Sequence, residues 1–576
     1  MAATGIQAEV SVKPRQARGV VVLWSVALVA ATVIGIGTCD LRAQEKETRS
    51  EHRAAPQDWS SGSVIFTRDG LAKHPELIQR EPRILQQTIQ RWSSAPADGV
   101  RGLAQGLTSE TPLSQKKSHP HRDWNVPDLG GRISSNMYPA KFSFDPGAPP
   151  DCTNDYVVFG LNNAGVSANG NLVAFNNLYV DSTGDGLCTG TAPNVLFDYN
   201  ITTAASGTGR INTSPILSLD GTKIAFVESV PSTEAIFHVL TWTAGQGNLT
   251  TSVTPTAAQM TSLTFSTLKD DTTSAPWIDY SNDTVYVGND NGQVYKITGV
   301  FHGTPTLAGG NWPVTVSTNL QLTPPVLDSG LGLLMVGSAN GSLYQIDTAT
   351  GLVVATLVVG VGPTDGIVAP PIVDLTNGTT FVVDADDGSS GVLVEADTET
   401  LTMLAKARIG AASAGTPGIH LYQPAFNNDY YNDPSTGVVR VCGTGSADAT
   451  PWQYAFGFAG RTMLASAPVF SQQLLTSTSA RCTGWTEFFN PSVGPSGTDY
   501  FFFGLTQDCT TGGGFPDGCV VEITDANPGT LGTATIDGGT TGIVVDNYST
   551  ASQAANIYFS ADKADIAYKF TQNRLQ

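Results

Sequence analysis

Charge is scarce in this chain. Of its 576 residues 14% are charged, and 30 Lys and Arg face 50 Asp and Glu, a net charge of −20. Phosphate backbones are held by clustered cations, so this balance excludes nucleic acid as a partner. The same scarcity excludes coiled coils and helical solenoids, which need long stretches rich in Glu, Lys and Leu. Histidines number seven and are scattered, and the seven cysteines show no close zinc-ligand spacing. No G-x-S-x-G elbow, phosphate-cradling G-x-x-x-x-G-K or H-E-x-x-H occurs. What the chain does have is 40% apolar residues, enough to fill a core, with 61 Gly and 33 Pro punctuating short β-branched and aromatic runs.

The charge is unevenly distributed. Residues 1–133 hold 17 Lys/Arg and 13 Asp/Glu, whereas residues 134–576 hold 13 and 37. Within the first part, Gly19–Thr38 is a run of twenty residues without a charge. As a helix it would be about 30 Å long, the thickness of a bilayer's hydrocarbon core. Lys13, Arg15 and Arg18 precede it and Asp40, Glu45 and Glu47 follow. Residues 1–18 therefore read as a cytoplasmic n-region, 19–38 as a membrane anchor or signal peptide, and everything beyond 40 as exported. Retention places the protein on the extracytoplasmic side of a membrane; cleavage after Ala43 makes it secreted or periplasmic. Cys39 sits in a poor match to a lipidation site.

Export gives the remaining cysteines a role. Cys152, Cys188, Cys442, Cys482, Cys509 and Cys519 fall into three sequential pairs, and an oxidising compartment lets them bridge. Six cysteines allow 15 connectivities, and proximity favours the sequential one. Residues 39–136 read as a linker or wrapping segment. Ile78, Leu85, Ile89 and Trp92 recur at near-helical spacing in 76–92, interrupted by Pro82, which predicts a short helix against the main domain. The tract Ser114–Trp124, with His119 and His121, reads as a basic solvated loop.

Residues 137–576 repeat themselves. A small or apolar residue, Pro, two apolar residues and Asp or Asn lead into an alternating strand. The phrase appears as "SAPWIDYSNDTVYVGNDNGQVYKITG" from Ser274, "LTPPVLDSGLGLLMVGSANGSLYQIDTATG" from Leu322 and "VAPPIVDLTNGTTFVVDADDGSSGVLVEADTET" from Val368. Looser copies begin near Tyr138, Thr213, Tyr422, Trp485 and Thr541, making eight. Each unit carries about four short strands, with Asn-Gly hairpins at "NDNG" and "SANG". Four-stranded units in series without intervening helices predict an all-β fold: one β-propeller of about eight blades, seven being the alternative count and a β-sandwich the alternative fold. The eighth unit ends after its third strand, Ile566–Gln572, so a segment before Tyr138 is expected to complete it.

"DNGQVYKITG" and "NGSLYQIDTATGLVVATL" resemble the repeat of PQQ-like, quinoprotein-type propellers. The resemblance covers most of 138–576 and is strongest between 274 and 400. It implies a propeller and raises a PQQ- and calcium-dependent oxidoreductase as one reading. Two departures count against that activity. The Trp that usually ends the fourth strand is replaced near Ala355 and Leu357, and the vicinal Cys-Cys pair of alcohol-oxidising members is missing. No catalytic residue is carried across.

The recurring Asp279, Asp328, Asp374, Asn427, Asn490 and Asp546 form one equivalent set, expected to bond their own turns rather than ring a cation site. Two places break the repeat. Asp384, Asp386 and Asp387 stand in "DADDGSSG", and Asp181 and Asp185 in "DSTGDGLC". Hard carboxylate oxygens at such spacing before Gly suit calcium, but neither place has the distal Glu of an EF-hand loop, position 192 being Ala, and a solvated turn is the preferred reading of each. His238, His302 and His420 are isolated. The functional reading is an exported module that binds protein or glycan through its loops, with 301–321, 410–421 and 471–484 as surfaces and Tyr422, Tyr430, Tyr431 and Trp452 nearby. The rivals are the quinone-dependent oxidoreductase, and a hydrolase or lyase using carboxylates in the channel.

Overall fold

Short runs of β-branched and aromatic residues cannot bury both faces alone, so they stack as sheets around an axis. The computed structural model describes residues 55–92, 120–144, 150–204, 208–267, 272–361, 366–410, 420–490, 496–509, 517–546 and 553–571. The leader at 19–38, with Cys39 and Ala43, lies outside these residues. Among those described, no helix is long and apolar enough to cross a membrane.

Eight sheets form the eight blades of a propeller. From the axis outward, blade 1 is Ala140–Ser143, Tyr156–Gly160, Leu172–Asn176 and Asn194–Tyr199. Blade 2 is Ile216–Leu217, Lys223–Val230, Glu234–Thr241 and Met260–Ser266. Blade 3 is Trp277–Asp279, Thr284–Gly288 and Gln293–Thr298, with a split edge at Thr306–Leu307 and Val314–Thr315. Blade 4 is Val326–Asp328, Leu333–Gly337, Ser342–Asp347 and Leu352–Val358. Blade 5 is Ile372–Asp374, Thr379–Asp384, Val392–Asp397 and Met403–Arg408. Blade 6 is Ala425–Phe426, Val438–Thr444 and Pro451–Ala459, edged by Thr462–Met463 and Phe470–Gln473. Blade 7 is Thr486–Asn490, Thr498–Leu505, Asp517–Thr524 and Asn527–Asp537. Blade 8 is Val544–Asp546, Asn556–Ser560 and Ala567–Thr571, completed by His121–Val126 from before Tyr138.

That last strand corrects the reading of 114–124 as a solvated loop. Its second half pairs antiparallel with Ala567–Thr571, because the eighth unit leaves an open edge whose N–H and C=O groups need partners. Trp124 is buried against Phe175 and Tyr558.

The stretch 55–92 does more than link or wrap. Ala55–Gln57 pairs with the inner strand of blade 1, and Val64–Ile65 pairs in parallel with that of blade 5. The segment therefore crosses the axis and plugs it. Trp59 packs edge-on against Trp277 at 5.6 Å and donates to the Pro276 carbonyl. The expected helix over 76–92 is two elements, a 3-10 turn at Pro75–Gln79 and an α-helix at Arg83–Trp92, divided at Pro82. Of the expected apolar residues, Ile78 is 56% exposed and Leu85 half-buried; Arg83, Gln86, Gln87 and Arg91 are buried, together with Ile84, which joins the apolar core. The Arg83 guanidinium lies 4.2 Å from the Trp277 ring and donates to the Ile278 carbonyl.

Neighbouring blades approach closely where strand two ends in Gly. A Cβ on Gly443 would lie 2.1 Å from the Ile409 carbonyl oxygen, and one on Gly504 would lie 2.3 Å from Thr540 Oγ1. The three sequential cysteine pairs are disulfide-bonded: Cys152–Cys188, Cys442–Cys482 and Cys509–Cys519.

Candidate functional site

Every inner strand begins on one face of the ring, here called the front, and ends on the other, the back. The ladder pairs Ala140–Val158, Ile216–Ala225, Trp277–Tyr286, Val326–Met335, Ile372–Phe381, Ala425–Arg440, Thr486–Phe502 and Val544–Tyr558 put the eight units in register. Three residues before the aligned position, hydroxyls recur and accept from the second strand of their own blade, and Ser274 also reaches the next unit. Ser274 accepts from Gly288 N–H and donates to the Thr323 carbonyl; Thr323 accepts from Gly337 N–H; Thr483 accepts from Gly504 N–H; Thr541 accepts from Ser560 N–H.

Two residues before the aligned position stand Tyr138, Ser214, Ala275, Pro324, Pro370, Gln423, Gly484 and Gly542. Six are small or Pro, whereas Tyr138 and Gln423 are large and polar. Gly542 and Gly484 make the room: a Cβ on Gly542 would fall 2.4 Å from Tyr138 Cγ, and one on Gly484 would fall 3.2 Å from the Tyr138 hydroxyl. Tyr138 and Gln423 mark the axial site.

Two chambers meet there. The front one has a volume of about 250 Å³ and is lined by Asn136, Met137, Thr273, Gln321, Leu322, Ile367, His420 and Tyr422 among others, with no Lys, Arg, Asp or Glu among the described lining residues. The deeper one has a volume of about 100 Å³ and is lined by Tyr138, Gln423, Trp485 and Glu487 from the blades and by Gln57, Asp58, Trp59 and Arg91 from the plug. Chain neighbours pass from one chamber to the other at Met137–Tyr138 and at Tyr422–Gln423.

Charge in the deeper chamber is largely compensated. Arg91 donates to Glu487 from both terminal guanidinium nitrogens, and its positive face lies 3.4 Å from the Tyr431 ring. Asp58 caps its own turn at Ser60, and burial, opposed by Arg83, pushes its carboxyl above the usual range. Burial alone pushes the Tyr138 phenol up. Asp499, bonded to Glu487, is also pushed up, by burial and then by that neighbour's charge.

The residues singled out in the sequence lie elsewhere. Asp279, Asp328 and Asp374 end inner strands on the back face and accept from N–H groups of their own turns. Asn427 caps a short helix through Tyr430 N–H, while Asp546 instead pairs with Lys141. Asp384 is buried and accepts from Asp386 N–H at 2.8 Å. Burial pushes its carboxyl up to about 7. Asp386 accepts from Gly388 N–H, and Asp387 pairs with Lys406 at 2.7 Å. Asp181 accepts from Thr183 and Asp185 N–H. Among the described residues, no three His, Cys, Asp or Glu converge to hold a metal ion.

His238 is buried between Glu228, at 3.0 Å, and Ser262. His302 is exposed, and His420 lines the front chamber. Of the three expected loop surfaces, 301–321 forms the edge of blade 3, most of 410–421 lies outside the described residues, and 471–484 begins with the edge strand of blade 6. Tyr422 reaches the front chamber, Tyr430 bonds Asp374, Tyr431 stacks with Arg91, and Trp452 bonds Thr450 on blade 6.

The tricarboxylate PQQ needs cationic or metal partners. The described residues of the front chamber offer no Lys or Arg, and Arg91 in the deeper one is bound to Glu487, so these described residues do not fit that group.

No family model matches the chain, and no curated protein does. Solved structures do. BamB from Moraxella catarrhalis is 13% identical, with 78% of this chain and 99% of that one covered and a TM-score of 0.44. The Dos1 propeller is 11% identical over 79% and 95%, TM-score 0.45, and the WD40 domain of Toxoplasma gondii coronin 15% over 66% and 82%, TM-score 0.38. The fold assignment rests on the sheet order described above, an eight-bladed β-propeller.

Proposed function

We propose that this chain is an exported propeller of the PQQ-like repeat type, tethered by its leader outside a membrane or released from it, that binds protein or glycan at the front of the ring. The observation that carries this reading is the front chamber. Connections from several blades converge on one cavity of about 250 Å³ whose lining mixes amides, hydroxyls and apolar side chains. Such concave, mostly neutral surfaces on a rigid scaffold suit recognition. Behind it the plug fills the axis, so a ligand has one way in. Three disulfides fit an oxidising compartment and support export.

The test is capture by the full exported chain carrying a photo-crosslinking residue at Gln321, on the front, or at Thr436, on the back. A partner or glycan captured from Gln321 and not from Thr436 supports the reading; equal capture, or none, overturns it.

A further inference from the structure

Six side chains at the axis carry a polar atom with no hydrogen-bond partner among the described residues: Gln57 Nε2, Asp58 Oδ2, Arg91 Nε, Tyr138 Oη, Gln423 Oε1 and Trp485 Nε1. All six are more than nine-tenths buried and line the deeper chamber. Asn136 Oδ1, beside the front chamber, is a further such atom. Buried polar groups are nearly always paired, because leaving them unmet costs stability. These seven side chains around two adjoining cavities form a built polar site.

The character of the atoms selects the ligand. Gln423, Asn136 and Asp58 present acceptors, Trp485, Gln57 and Arg91 present donors, and the Tyr138 hydroxyl serves as either. Hydroxyl groups, which both donate and accept, answer such a mixed set. Among the described residues a charged ligand would meet no free counter-charge, since both terminal guanidinium nitrogens of Arg91 pair with Glu487 and the described lining of the front chamber has no Lys, Arg, Asp or Glu. The axis is closed behind by the plug, so a ligand enters end-on. A peptide entering that way brings a charged terminus; a neutral glycan does not. Met137, Leu322 and Ile367 supply apolar surface for the C–H faces of a sugar ring.

We infer that the axial chambers bind the terminal residue of a neutral saccharide, whose hydroxyls are met by Tyr138, Gln423 and Trp485. The inference rests on the reading that the front of the ring is the binding face.

The experiment is titration calorimetry on the full chain in detergent, with glucose, galactose, mannose, N-acetylglucosamine, maltose and cellobiose as probes and glucuronate and a short free peptide as controls. At least one neutral sugar is expected to bind. Tyr138→Phe and Gln423→Leu are each expected to weaken it about tenfold or more. Both variants are expected to melt at or above the parent temperature, because each removes an unmet polar group. Absence of binding by every neutral sugar, binding unchanged in both variants, binding of only the charged controls, or a melting temperature lowered in both variants overturns the inference. If capture through Gln321 succeeds while every sugar fails, only this inference falls; if both fail, the binding-face reading falls with it.

Discussion

Lys141 on the inner strand of blade 1 places its Nζ 2.6 Å from Oδ2 of Asp546 on the inner strand of blade 8, with both side chains buried. The ammonium also donates to Tyr179 Oη at 2.8 Å, and that phenol donates to Asp155 at 2.6 Å. The pair spans the seam where the ring closes. A buried pair is strongly destabilised by loss of one member, since the other charge stays in low dielectric. Lys141→Met is expected to lower unfolding free energy by about 3–5 kcal/mol. Lys141→Met with Asp546→Leu is expected to recover part of that loss. Urea denaturation of the parent and the variants measures both.

The blades hold carboxyls that burial makes reluctant to ionise. Asp384 and Glu395 are pushed up to about 7, and Asp328 to about 6. A raised carboxyl binds its proton more tightly folded than unfolded, so stability falls as pH rises from the unfolded value through the folded one. The protein is therefore expected to grow more stable as pH drops from about 7 to about 5, by at most about 1.4 kcal/mol per pH unit for each group. Asp387, held low by Lys406 and its turn against the push of burial, acts oppositely, but below about pH 4. Melting temperatures across this range test the slope, and Asp384→Asn should flatten it.

The disulfides differ in the loops they close. Cys152–Cys188 and Cys442–Cys482 span 36 and 40 residues, and Cys509–Cys519 spans 10. Chain entropy assigns about 4 kcal/mol to each longer loop and about 3 kcal/mol to the short one. Paired Cys→Ser variants, unfolded in guanidinium, should rank in that order.

Close approach of blades makes some glycines irreplaceable. Gly443→Ala sets a Cβ against the Ile409 backbone at 2.1 Å and is expected to cost about 1–3 kcal/mol. Gly309 has nothing within 4 Å of its Cβ position, so Gly309→Ala should be neutral or slightly stabilising. Denaturation midpoints separate the two.

Much of the wheel was legible in the chain. The phrase around Pro276, Pro325 and Pro371 marks inner strands in the structure, and the truncated eighth unit foretold a strand from before Tyr138. Alternation and hairpin glycines are local, and Gly292 and Gly341 do take φ of 81° and 77°. The site was harder to see. Its signal was a departure from the repeat, Tyr138 and Gln423 at a position otherwise small or Pro, and it emerges only once the ladder register aligns the units. The acidic clusters at 181–185 and 384–387 were more conspicuous, yet they bond their own turns and Lys406.

The chain by itself pointed to a ring of about eight four-stranded blades and favoured sequential cysteine pairs, because hydrophobic period, turn chemistry and short loops act between near neighbours; the structure decided for eight blades and for that pairing. Only the tertiary structure decided that residues 55–92 fill the axis and that Tyr138, Gln423 and Trp485 meet there. Those groups sit on blades far apart in sequence, and closing the ring is what brings their unmet polar atoms to one place.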